Sequence, residues 1–135
     1  MDCLEAHTLI DAGNSAVWEI LTDSGNFPVW DSGIIAISGE VRNGGTIKIR
    51  TRARGRTRLR VEQVPGKVMT WTSGAPPWYS FVRTFILTPE AGMTRLTVKD
   101  ELGPLGRLVG SPWAVTTEIL TGFTAAAKQR AEILN

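Results

Sequence analysis

A chain of 135 residues with a net charge of +2, 42% hydrophobic and 21% charged, has the make-up of one globular domain, residues 1–135, with a real core. No apolar run approaches the roughly 20 residues of a membrane span, and no basic-then-apolar leader opens the sequence, so a transmembrane helix and a secretory signal are not expected. A single cysteine, Cys3, excludes an internal disulfide and makes a reducing cytoplasm the default compartment; with a single histidine, His7, it also leaves too few ligands for an ordinary zinc site.

In chain order, residues 3–12 alternate loosely and predict a first strand. Asp11-Ala12-Gly13-Asn14-Ser15 ends it, with Asn14 or Ser15 suited to cap a short helix that turns Val17, Trp18, Ile20 and Leu21 inward. Asp23-Ser24-Gly25-Asn26 breaks that helix, and a second short helix or turn holds Phe27, Pro28 and Trp30. From Gly33 onward the period changes from helical to alternating. Strands are predicted over residues 34–41, 46–54, 56–64, 68–73, 80–88 and 93–101. They are joined at Asn43-Gly44-Gly45, Gly55, Pro65-Gly66, Gly74-Ala75-Pro76-Pro77 and Pro89-Glu90-Ala91-Gly92.

A glycine-rich connection, residues 103–110, leads into the one long helix, residues 111–134, opened by Ser111-Pro112. At about 100° per residue, Val115, Ile119, Leu120, Phe123, Ala126, Ala127, Ile133 and Leu134 share one arc. Glu118, Thr121, Lys128, Gln129 and Glu132 lie opposite, and Arg130 is a misfit inside the apolar arc. Almost everything upstream reads as strand, so the simplest architecture is a sheet wrapped around this helix.

Lys48, Arg50, Arg52, Arg54, Arg56, Arg58 and Arg60 occupy alternate positions of one hairpin, which sets most of these cations on one face and turns Ile47, Ile49, Leu59 and Val61 to the core. Such a face is either a solvated surface that discourages edge association or a site for the phosphates of nucleic acid or an anionic membrane. No aromatic residue alternates with the arginines, which argues against a nucleic-acid partner. In the last hairpin Phe85, Leu87, Leu96 and Val98 share parity with Phe81, Arg83 and Asp100. A turn centred between Glu90 and Ala91 sets Arg83 opposite Val98 and diagonal to Asp100. An ion pair facing an apolar interior marks a polar site there, unless it is a salt bridge at a wet sheet end.

Trp71 shares parity with Met69 and faces inward, whereas Trp78 and Trp113 stand in segments able to border one opening, as amphipathic rings do at a ligand mouth. No Walker or dinucleotide glycine fingerprint and no nucleophile elbow is present, so an enzyme of this sequence would work with Asp, Glu, Arg or Tyr79 and without metal or cofactor.

The order β–α–α–β6–α, with Ile10-Asp11-Ala12, Val17-Trp18-Glu19-Ile20-Leu21-Thr22-Asp23 and Phe27-Pro28-Val29-Trp30, resembles the START-related superfamily. That superfamily includes birch-pollen-allergen-like proteins, polyketide cyclases and dehydrases, and lipid-transfer proteins. Arg83-Thr84-Phe85-Ile86-Leu87-Thr88-Pro89 and Gly92-Met93-Thr94-Arg95 are similar to its penultimate hairpin, and Gly103-Pro104-Leu105 to its loop before the last helix. Family members usually continue the Trp30 motif with Asn-Pro; Asp31-Ser32 stands here instead.

The resemblance implies an α+β helix-grip fold: a seven-stranded curved antiparallel sheet around a C-terminal helix, two short helices after strand 1, and a hydrophobic cavity between. The residues expected to line that cavity are Trp30, Ile35, Met69, Trp71, Trp78, Phe81, Arg83, Phe85, Leu96, Val98, Trp113, Thr116, Leu120, Phe123 and Ala127. The expected activity is binding or carriage of a lipid, polyketide or isoprenoid molecule. The alternatives are a cyclase or dehydratase in which Arg83 polarises a carbonyl and Asp100 is the base, and a partner-binding module using the arginine face.

Overall fold

The computed structural model of the chain describes residues 3–30, 32–51, 56–74, 78, 81–103 and 117–134. Strands β1 (Cys3–Ile10), β2 (Ile34–Ser38), β3 (Thr46–Thr51), β4 (Arg56–Val64), β5 (Val68–Ser73), β6 (Phe81–Glu90) and β7 (Met93–Leu102) form one antiparallel sheet in the order β1-β7-β6-β5-β4-β3-β2. Helix α1 (Asn14–Thr22) and a 3-10 turn (Ser24–Asn26) join β1 to β2, and helix α2 (Thr117–Leu134) packs against β1, β7 and α1. This is the α+β helix-grip arrangement, with a curved sheet held against a C-terminal helix. No helix among the described residues is long and apolar enough to cross a membrane.

Strict alternation fixes which side of each strand is dry. Phe81, Arg83, Phe85 and Leu87 of β6 and Thr94, Leu96, Val98 and Asp100 of β7 are buried, while the residues between them are not. A slip of one residue would turn this whole set to water, so burial itself holds the register.

The structure departs from expectation in β2 and at the β6–β7 turn, each for a local reason. The strand predicted over 34–41 stops at Ser38, because Gly39 takes φ +90 with the Thr46 carbonyl oxygen 2.4 Å from where a Cβ would stand. A register shift between Ile34 and Ala36 reverses the parity of β2: Ile34 is buried, and Ile35, expected in the cavity, is 39% exposed. β6 runs through Pro89 to Glu90, so the turn is the two residues Ala91-Gly92, at φ 51 and φ 81. Positive φ at both central residues is the type I′ hairpin turn, whose twist matches that of the flanking strands.

Polar side chains lock the corner after β1. Asn14 does not cap α1, whose first flanking residue is Gly13. Its side-chain amide instead donates to the Gly66 carbonyl at 3.3 Å, and its Oδ1 and the Ala12 carbonyl, each 2.8 Å away, share the single proton of the buried Thr94 hydroxyl. On α1, Val17, Ile20 and Leu21 are buried, and Trp18 is half-buried against the core. α2 buries Leu120, Phe123, Thr124, Ala127 and Ala131. Ile133 and Leu134, expected on the dry arc, are 70% and 61% exposed, because the helix end runs past the sheet. Lys128 donates to the Leu9 carbonyl at 3.1 Å and pairs with Glu132, whose carboxylate also accepts the Asp11 amide at 2.9 Å. These contacts tie the end of β1 to α2.

Two outcomes are expected. Ala91→Asn relieves a left-handed alanine and should stabilise the fold by about 0.5–1 kcal/mol in urea unfolding, with no change of m-value. The Lys128 hydrogen bond, then the Asp11 amide, hold the Glu132 carboxyl below its ordinary value of 4.5. The tie therefore contributes above that value and is lost as pH falls through the lowered one. Melting temperatures of wild type and Glu132→Gln should differ at neutral pH and converge in acid.

Candidate functional site

The interior between sheet and helix is organised by one row of residues across five strands. Val61 pairs with Trp71, Trp71 with Arg83, Arg83 with Asp100 and Asp100 with Leu4, so their side chains share the inner face at strand spacing. Arg83 and Asp100 are therefore direct cross-strand partners. The diagonal relation expected from sequence is corrected by the position of the turn, which lies one residue later than assumed.

Arg83 Nε donates to Asp100 Oδ1 at 2.7 Å and Nη2 donates to Oδ2 at 2.8 Å. The side chains are 3% and 0% exposed, which rules out a salt bridge at a wet sheet end. The guanidinium carbon lies 5.5 Å from the centroid of the Phe123 ring on α2, a cation–π contact strengthened by its burial. A two-pronged pair with its hydrogen bonds made is the form in which buried charge is tolerated.

Next to this pair five aromatic rings close a circuit. Phe27 meets Trp30 at 5.5 Å and Trp71 at 5.7 Å; Trp71 meets Phe85 at 4.8 Å; Phe85 meets Phe123 at 5.7 Å; Phe123 meets Trp30 at 5.4 Å. The tilted and edge-to-face geometries are those favoured by ring quadrupoles. Trp71 is fully buried, and among the described residues its indole Nε1 has no hydrogen-bond acceptor. A buried donor left in this state costs about 1–3 kcal/mol.

The structure thus brings together Trp30, Met69, Trp71, Phe81, Arg83, Phe85, Leu96, Val98, Leu120, Phe123 and Ala127, all of which are buried. Ile35 is on the outer side, and Trp78 is 66% exposed. Trp113, Thr116 and Tyr79 lie outside the described residues. Phe27 was missed as a site residue, although its position two residues before Val29-Trp30 was the available signal; it carries two of the five ring contacts.

Beyond Trp30 lies a separate surface groove of about 280 Å³, lined by Ala16, Glu19, Ile20, Asp23, Asn26, Trp30, Arg130, Ala131 and Leu134. It explains Arg130, the misfit of the helix arc, which reaches this opening instead of the core. His7 is exposed on the outer face against Arg95, Nδ1 to Nη1 3.0 Å, far from Arg83 and Asp100 in the register. No three His, Cys, Asp or Glu side chains converge among the described residues.

The sequence matches the profile of the family described as polyketide cyclase / dehydrase and lipid transport over residues 1–132. The chain belongs to that family. No curated protein sequence matches it. Among solved structures, a START superfamily protein from Mycobacterium smegmatis superimposes with a TM-score of 0.76 at 16% identity, covering 100% of both chains. A protein of Mesorhizobium loti gives 0.74 at 18% identity, covering 98% of each chain. The di-domain ARO/CYC BexL gives 0.73 at 22% identity, covering 99% of this chain and 47% of its own. At these identities the likeness speaks for the fold, and the chemistry has to come from the residues.

Removing either partner of the buried pair should destabilise the protein by about 3–5 kcal/mol, since the other charge is left without compensation. In a double-mutant cycle with Arg83→Met and Asp100→Leu, the pair of changes together should cost clearly less than the sum of the singles, measured by denaturant unfolding.

Proposed function

We propose that this family member binds an apolar or amphipathic small molecule, of lipid, polyketide or isoprenoid type, against the aromatic circuit between sheet and α2. The observation that carries this reading is the indole N–H of Trp71, buried among aromatic rings and without an acceptor among the described residues. A ligand with an apolar body and one carbonyl or hydroxyl oxygen supplies what that donor lacks, and the surrounding rings supply area for the body. Trp78, 66% exposed, belongs on this reading to the approach to the site.

Ring-closing chemistry is the competing reading, favoured by the family and by the likeness to an ARO/CYC protein. The geometry argues against Asp100 as its base. Both carboxylate oxygens already accept from Arg83, so drawing a proton from a substrate would dismantle the ion pair. On this second reading the chain's contribution is to exclude water and orient the substrate.

Native mass spectrometry of freshly purified protein, beside an organic extract of the same sample, tests the proposal. A bound species of about 200–600 daltons is expected, a size that a pocket of ordinary volume encloses. Trp71→Phe, which keeps an aromatic side chain but removes the donor, should lower affinity for the extracted compound about tenfold. Apo protein throughout, with no quenching of tryptophan fluorescence by lipid or polyketide probes, would contradict it.

A further inference from the structure

We propose that the outward face of the β3–β4 hairpin is a docking surface for an anionic lipid bilayer. Lys48, Arg50, Arg58 and Arg60 are all exposed there. Lys48 stands directly opposite Arg58, and Arg50 is in register with Arg56. Among the described residues Lys48, Arg50 and Arg58 have no acidic partner, and Arg60 meets only Glu62, at 3.9 Å, with side chains 64% and 66% exposed. Elsewhere on the outer surface of the sheet the cations are neutralised: Lys99 by Glu5 at 3.5 Å, and Arg95 by Glu90 at 2.5 Å. The charge is segregated in a molecule whose net charge is only +2.

Like charges placed opposite one another destabilise a strand pair, so this arrangement works against the fold. Protection of a sheet edge does not account for it. β3 and β4 are interior strands, each hydrogen-bonded on both sides, and the edge strands are β1 and β2. A counter-anion supplied from outside resolves both points.

The pattern favours a bilayer over nucleic acid. The cations form a two-dimensional grid, about 5 Å between strands and about 7 Å along them, suited to a plane of separate phosphate headgroups. At the outward positions of β3 and β4 there is no aromatic, Asn or Gln residue to stack on bases or read their edges. Ile35, turned outward by the bulge in the neighbouring edge strand and 39% exposed, adds an apolar contact beside the charged field.

The test is flotation with phosphatidylcholine vesicles, with and without about 30% phosphatidylserine, at about 0.1 M and about 0.5 M salt. Wild type should bind only the anionic vesicles and be released by high salt. Each cation near such a surface contributes a factor of about five, so Arg58→Glu, which removes one attraction and adds one repulsion, should weaken binding about twentyfold. Lys67→Glu makes the same change of net charge on the β4–β5 turn, away from the grid, and should alter binding less than about twofold. Arg58→Glu should melt no lower than wild type, since Lys48 then faces an opposite charge. Absence of binding, equal binding to neutral vesicles, or equal loss in both variants would overturn the proposal. So would tighter binding of single-stranded or duplex DNA than of anionic vesicles at the same salt, which would assign the face to nucleic acid.

Discussion

An arginine and an aspartate, held by two hydrogen bonds and the only charged side chains buried among the described residues, constrain the rest of this structure. Taking both charges out of water is unfavourable, and the pair persists because register, packing and ring contacts all converge on it. Arg83 and Asp100 face each other because the β6–β7 turn is centred between Ala91 and Gly92, a two-residue turn made at the expense of one left-handed alanine. Phe123 of α2 stacks over the guanidinium, so the helix is positioned by the same group that fixes the sheet. The aromatic circuit then encloses the pair on the apolar side. A domain of this size could fill that space with aliphatic residues at less electrostatic expense, so the polar atoms there call for an explanation beyond folding.

The two faces of the sheet solve different problems. Among the described residues the inner face is dry, its charge is confined to one ion pair, and the indole N–H of Trp71 has no acceptor. The outer face carries its acids and bases as neighbours over β1 and β7 but leaves the β3–β4 end uncompensated. In both places the sequence departs from what stability alone favours, an unmatched donor inside and opposed cations outside. Such departures are where function is expected to reside.

Much of this was legible in the residues. Alternation gave all seven strands, because a half-buried antiparallel sheet imposes period two, and Trp71, Phe81, Arg83, Leu87 and Asp100, which share parity with Met69, Phe85, Leu96 or Val98, are all interior. What alternation cannot contain is an insertion in the pairing: the bulge at Ile35 reversed the parity of one strand end. Nor does it locate a turn to one residue, and that residue separates a diagonal Arg83–Asp100 relation from a direct one. The C-terminal end of α2 departs from expectation for a related reason. Helical periodicity ranks residues by direction and is blind to where the neighbouring sheet stops, so it puts Ile133 and Leu134 on the dry side and does not single out the buried Thr124. The closure of the five rings, with Phe27 among them, depends on three-dimensional convergence of α1's following turn, β5, β6 and α2, and no linear pattern encodes it.

On the proposed reading a ligand's polar atom is received by the indole N–H of Trp71, which has no acceptor among the described residues. Nitrogen–proton correlation spectra of the tryptophan side chains test it directly, with the Trp71 signal assigned by its absence in Trp71→Phe. On addition of the compound recovered from the purified protein, the Trp71 indole proton should move downfield and its solvent exchange should slow, the more so the stronger the acceptor on the ligand. A ligand that binds while the Trp71 signal stays unchanged would contradict it and move the site away from the aromatic circuit.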